Sequence, residues 1–128
     1  MSGQSEQDDL AAAGKAVQEQ LWGPMPDGGR GFPAARLAPD FFPLVQQFAF
    51  GMFWARDALA VKQRSLVTVS QLAALGKTEE LKAHLRGAIN VGWTREELVE
   101  VLMQTAVYAG VPAAVNALAA AAEVLNPE

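Results

Sequence analysis

Apolar residues recur along most of this chain at intervals of three and four, the spacing of helices with one buried face. Residues 10–21 (LAAAGKAVQEQL) show the pattern first and are rich in helix formers, which predicts a helix that tolerates Gly14. Residues 1–9 are polar and acidic and read as a disordered tail. Residues 22–39 hold four of the prolines and four of the glycines and read as a loop, either a surface linker or a cover, since Trp22, Met25 and Phe32 are costly to leave in water. Asp40 is placed to cap the next helix, 41–54, with Phe41, Phe42 and Pro43 in its first turn. That stretch is apolar on nearly all sides, the mark of a helix buried in a core or between subunits.

A turn at 55–58, with Asp57 as a cap, leads to a helix over 59–75 whose apolar face is Val61, Leu66, Val69, Leu72 and Ala73. The run Val67-Thr68-Val69 lowers its propensity and makes a strand the rival reading, but its length favours a helix. Gly76 stops it, and Thr78 is a candidate N-cap for the next helix, with Glu79 and Glu80 at its positive end. Gly92 stops that one. Thr94-Arg95-Glu96-Glu97 is a capping box, a specific helix start. Leu98, Val101, Leu102, Thr105 and Ala109 give the following helix its buried face. Gly110 ends it, and Pro112 opens a last helix rich in alanine. No segment reads convincingly as a strand. The expected class is all-α, with roughly six helices forming one domain over residues 10–128. The small residues of the last helix and the apolar stretch 41–54 offer more apolar surface than one small domain hides, which points to a symmetric homo-oligomer.

Composition narrows the function. The chain has 128 residues, 51% of them hydrophobic and 19% charged, as in a globular domain. A net charge of −4 argues against nucleic acid as a partner. No apolar run approaches the ~18–20 residues that span a bilayer, and the N-terminal residues resemble no targeting signal, so the expected location is cytoplasmic with no membrane partner. With no cysteine there is no thiol nucleophile and no thiolate metal site, and a single histidine makes a zinc site improbable. That histidine, His84, is the natural candidate for proton transfer, because an ordinary imidazole titrates near neutrality. It shares a helical face with Leu81, Ala88 and Val91, so a packed core histidine is the competing reading. Glu80, one turn earlier, could orient or charge the imidazole, or be a solvated first-turn acid. Arg64 and Arg86 could grip a carboxylate in bidentate fashion, Arg64 with the stronger claim because of its apolar neighbours. Phe50 and Trp54 could wall an apolar pocket or simply fill a core. Tyr108 could donate to an oxyanion. Asn90 reads as local to its helix end, and Gln104 as a polar group inside an apolar helix that would need a partner.

The stretch from about Phe48 to about Val124 resembles the carboxymuconolactone decarboxylase family. The residues that carry the likeness are His84-Leu85-Arg86-Gly87-Ala88, Asn90, Gly92, Thr94-Arg95-Glu96-Glu97 and Tyr108-Ala109-Gly110-Val111-Pro112-Ala113-Ala114. The resemblance implies an alkylhydroperoxidase D-like helical fold assembled as a homotrimer or homohexamer, with sites near subunit interfaces. The thiol-peroxidase branch of that superfamily carries a CxxCxxxH motif. Here Lys77 and Glu80 stand where its cysteines would fall, so thiol chemistry is excluded. The resemblance is to the decarboxylase branch and implies as substrate a carboxylated unsaturated lactone from aromatic breakdown. No metal or organic cofactor is implied, because such a substrate carries its own electron sink. His84 is then the catalytic acid/base, and Arg64, Phe50, Trp54, Glu80, Arg86 and Tyr108 are the candidate substrate-binding residues. One departure stands out. Decarboxylase members carry acids in the stretch before the family tryptophan, and here Gln47 and Met52 replace them. That loss makes a repurposed isomerase, cyclase or lactone hydrolase acting on a bulkier ring the second reading. A non-catalytic small-molecule binding protein is the third.

Overall fold

A computed structural model describes residues 2–25 and 33–125. Among them there are seven α-helices and no strand, in keeping with the all-α expectation: α1 (Ser2–Trp22), α2 (Pro33–Leu37), α3 (Phe41–Val45), α4 (Val61–Leu75), α5 (Thr78–Asn90), α6 (Arg95–Tyr108) and α7 (Val111–Val124). α3 runs on without a break into a π-helical segment, Gln46–Trp54. The contacts divide the chain into two compact units, Met1–Val61 and Lys62–Glu128.

In the first unit, α1 starts at Ser2 and takes in the residues expected to be a polar tail. Their polar side chains support the helix locally, as where Gln4 donates to the Asp8 carboxylate at 3.0 Å, one turn on. The expected loop is also interrupted, because Pro33–Leu37 folds into the short helix α2, with Ala35 buried. The middle of that loop, 26–32, lies outside the described residues.

α1 meets the π segment through two glycines. A Cβ on Gly51 would collide with the carbonyl oxygen of Leu10, and one on Gly14 with the carbonyl oxygen of Gln46. Beside them the Gln46 side chain donates to Gln18 Oε1 at 2.8 Å. Gly14 is therefore less a weak point in a helix than the place where a second backbone comes close.

The second unit is built on a cluster of Val69, Leu81, Leu85, Ala88, Leu98 and Leu102, joined by alanines of α7. Every one of those six is completely buried. The stops and starts follow the sequence signals. Gly76, Gly92 and Gly110 all take positive φ, at +74°, +111° and +103°. The capping box at Thr94 forms as expected: its hydroxyl accepts from the Glu97 amide at 3.1 Å, and the Glu97 carboxylate accepts from the Thr94 amide at 3.0 Å. The Thr94 amide, then the Thr94 hydroxyl, hold the Glu97 carboxyl below its ordinary range. Replacing Thr94 by alanine is expected to cost about 1 kcal/mol, read as a lower denaturant midpoint at unchanged slope.

Two local expectations shift by a residue. Thr78 is the first residue of α5 rather than its cap; Lys77 holds the cap position with no side-chain cap bond. Pro112 is the second residue of α7, after Val111. The turn between α5 and α6 is tied to the start of α4: Trp93 Nε1 donates to the Lys62 carbonyl at 2.7 Å, and the Lys62 ammonium lies 4.7 Å from the centroid of the same ring.

Candidate functional site

His84 sits on α5 at the shoulder of the second unit's core. Leu81, Leu85 and Ala88 of the same helix point fully inward. This places the imidazole half in the interior, with its Nδ1 atom buried. Burial penalises the charged ring more than the Glu80 carboxylate one turn away favours it, and the pKa falls to about 4. The near-neutral titration assumed for an ordinary histidine therefore does not hold. At pH 7 the ring is neutral and offers one N–H and one lone pair.

The consequence for stability has a definite sign. The folded pKa lies below the unfolded one, so the unfolded chain takes up a proton first as pH falls. The neutral ring's stabilising effect is complete above about 6.5 and is lost toward about 4. Between pH 7.5 and 4.5 the wild type is expected to lose about 2 kcal/mol more than a His84→Asn variant. Denaturant unfolding of both proteins at the two pH values measures the difference.

The other expected site residues separate into groups. Arg64, on α4, is half-buried, and its carbonyl accepts from Thr68 Oγ1 at 2.9 Å. Glu80 and Arg86 are exposed on α5. Phe50 and Trp54 belong to the first unit, where they stack with ring centroids 5.7 Å apart, and Trp22 meets Phe50 edge-on at 5.8 Å. Phe50 is nearly buried in that aromatic cluster, as a core residue would be. Gln47 and Met52, where the family resemblance implies acids, lie in the π segment, Gln47 half-buried and Met52 exposed.

Tyr108 is 89% exposed at the end of α6. Together with Gln104 and Thr105 of α6, and Leu66, Ser70 and Ala74 of α4, it lines an open groove of about 370 Å³. Neither His84 nor Arg64 lines this groove. Gln104, expected to be buried, is exposed along it. Sequence reasoning missed Ser70 and Thr105 as groove residues; the only signal was that Ser70/Ala74 and Gln104/Tyr108 are spaced one helical turn apart. It also missed Ser65, which is wholly buried beside Arg64 and whose hydroxyl makes no hydrogen bond among the described residues.

Among the described residues no three histidine, cysteine, aspartate or glutamate side chains gather where they could hold a metal ion. No described helix is long and apolar enough to cross a membrane.

The carboxymuconolactone decarboxylase family model matches residues 39–123. A 4-carboxymuconolactone decarboxylase of Acinetobacter baylyi is 44% identical over 87 residues, which is 68% of this chain and 65% of that protein. A nitrosuccinic acid decarboxylase of Metarhizium robertsii is 37% identical over 83 residues, 65% of this chain and 58% of that protein. An uncharacterised 15.0 kDa protein of Paracoccus denitrificans is 30% identical over 95 residues, 73% of this chain and 71% of the relative. The matches span less than two thirds of the length of each of the two decarboxylases. His84, the helix that half-buries it and the capping box that follows all fall inside the matched region, and the chain belongs to the carboxymuconolactone decarboxylase family.

Proposed function

We propose that this protein is a decarboxylase, independent of any cofactor, for an acid whose carboxyl-bearing carbon adjoins a built-in electron sink. The observation that carries the reading is the half-buried, neutral His84 inside the region that the family model matches, in a chain similar to two proteins named as decarboxylases. Their names supply two such sinks, a conjugated lactone carbonyl and a nitro group. In either substrate the bond to the carboxylate breaks, carbon dioxide leaves, and the electron pair moves onto an oxygen of the sink. The resulting anion then takes a proton at carbon.

A neutral imidazole N–H suits the first of these steps. It can donate a hydrogen bond to the oxygen on which charge develops, and a partly desolvated setting strengthens that bond. Arg64, half-buried on α4 of the same unit, is our candidate for the carboxylate anchor. Glu80, Arg86 and Tyr108 are exposed and have weaker claims to substrate contact. The acids absent at Gln47 and Met52 remove two possible proton relays, which leaves more of the work to His84.

Purified protein given 4-carboxymuconolactone, and separately nitrosuccinate, tests the reading through release of carbon dioxide. Release from either acid without added metal or cofactor supports it. No release from both would move the weight to a repurposed enzyme of a larger ring substrate, or to binding alone.

The working form is a homo-oligomer, a trimer or hexamer, in this reading. Phe41, Leu44, Phe48 and Met52, spaced along one face of α3 and the π segment, are each between 46% and 60% exposed, a larger apolar stripe than a lone chain leaves in water. Light scattering should then give three or six times the 13.6 kDa chain mass.

A further inference from the structure

The geometry points to a second ligand site in the groove between α4 and α6, built for a small uncharged molecule with a flat apolar body and a hydroxyl that donates. No lysine, arginine, histidine, aspartate or glutamate lines the groove. A carboxylate entering it would give up water and meet no cation, so the groove is a poor place for the acidic substrate of the proposed reaction. Its walls are mostly aliphatic, with Leu66 and Ala74 from α4 facing Val101 from α6. About 370 Å³ is ample for a single ring.

The polar groups fix which neutral ligand fits. Ser70 Oγ donates its proton to the Val67 carbonyl at 2.9 Å, and Thr105 Oγ1 is directed at the Val101 carbonyl at 3.5 Å. Both hydroxyl protons are turned toward their own helices, so the oxygens present lone pairs to the groove. A ligand O–H donating to them gains a partner, whereas an ether of the same shape does not. Gln104 and Tyr108 stand at the exposed edge, where water competes for their polar groups, so the choice between donor and acceptor falls to Ser70 and Thr105. The inference is independent of the decarboxylation reading, because it concerns binding at residues given no part in that reaction except Tyr108.

Phenol, anisole and benzoate share one ring and differ in the feature at issue. Each is titrated at pH 7 into the isotope-labelled full-length protein while the backbone amide resonances of Ser70, Gln104 and Ala109 are followed. Phenol should shift these amides saturably, anisole about fivefold more weakly for want of one hydrogen bond, and benzoate not at all. Ser70→Ala should bring phenol down toward anisole. Ala74→Trp, at an exposed position able to take the larger side chain, should abolish the shifts without unfolding the protein. The proposal is overturned if benzoate binds as tightly as phenol, if phenol leaves these amides unmoved or shifts them equally in Ala74→Trp, or if Ser70→Ala leaves the phenol-to-anisole ratio unchanged. It is likewise overturned if phenol has no effect while Ala74→Trp changes the mass by light scattering, for then the groove is a contact between copies.

Discussion

A His84→Ala variant is expected to lower kcat/KM for carbon dioxide release by about 10²- to 10⁴-fold, the range for removing a positioned acid–base or hydrogen-bonding group. The loss should fall mainly on kcat, because a donor that meets charge formed only in the transition state adds little to ground-state binding. The fold should survive, since the ring is half-buried at the edge of the core and the inward residues Leu81, Leu85 and Ala88 are untouched. His84→Gln separates two roles. Glutamine keeps an N–H donor but cannot titrate, so it should recover about tenfold over alanine if oxyanion stabilisation is the main contribution. Variants indistinguishable from alanine would point to proton transfer instead, and an alanine variant with full turnover would remove His84 from the mechanism.

The largest expected effect on stability comes from two glycines far in sequence from the histidine. Gly51→Ala and Gly14→Ala each drive a methyl group into a backbone carbonyl of the facing helical segment, Leu10 in one case and Gln46 in the other. A backbone carbonyl cannot rotate away as a flexible side chain can, so the helices must separate. The expected cost is about 1–3 kcal/mol for each substitution, despite alanine's better helix propensity. Gly3→Ala is the control: it lies in the same helix α1 with nothing within 4 Å of the added carbon and should be neutral or slightly stabilising. Denaturant midpoints for the three variants measure the contrast. Equal midpoints would mean that the crossing is looser than its backbone separation implies.

What could be read from the sequence divides along physical lines. Signals carried by a few adjacent residues came through well. The Thr94–Glu97 capping box, the positive-φ stops at Gly76, Gly92 and Gly110, and the inward register of Leu98 and Leu102 need only local chemistry and helical spacing. Features that depend on a partner in space did not. Gly14 looks like a flaw in α1 until the π segment is placed against it. The extension of α1 to Ser2 gives no apolar signal, because its support is polar and local, as in Gln4 to Asp8. The π register over Gln46–Trp54 changes which carbonyl each amide reaches without any change in composition. The candidate site was half legible. His84 could be singled out as the sole histidine, but its neutral state follows from burial, which is a property of the packed unit. The groove beside Tyr108 needed both α4 and α6 in place.

The most direct measurement is the pH dependence of kcat/KM for carbon dioxide release, in the wild type and in His84→Ala. This quantity reports the ionisation of the free enzyme. With His84 acting as a neutral imidazole, the wild-type profile is level from pH 6 to 8 and falls only on approach to about 4, and His84→Ala lies far below it throughout. A wild-type rate that climbs as pH drops through 6.5, or a variant that matches the wild type, would contradict the account.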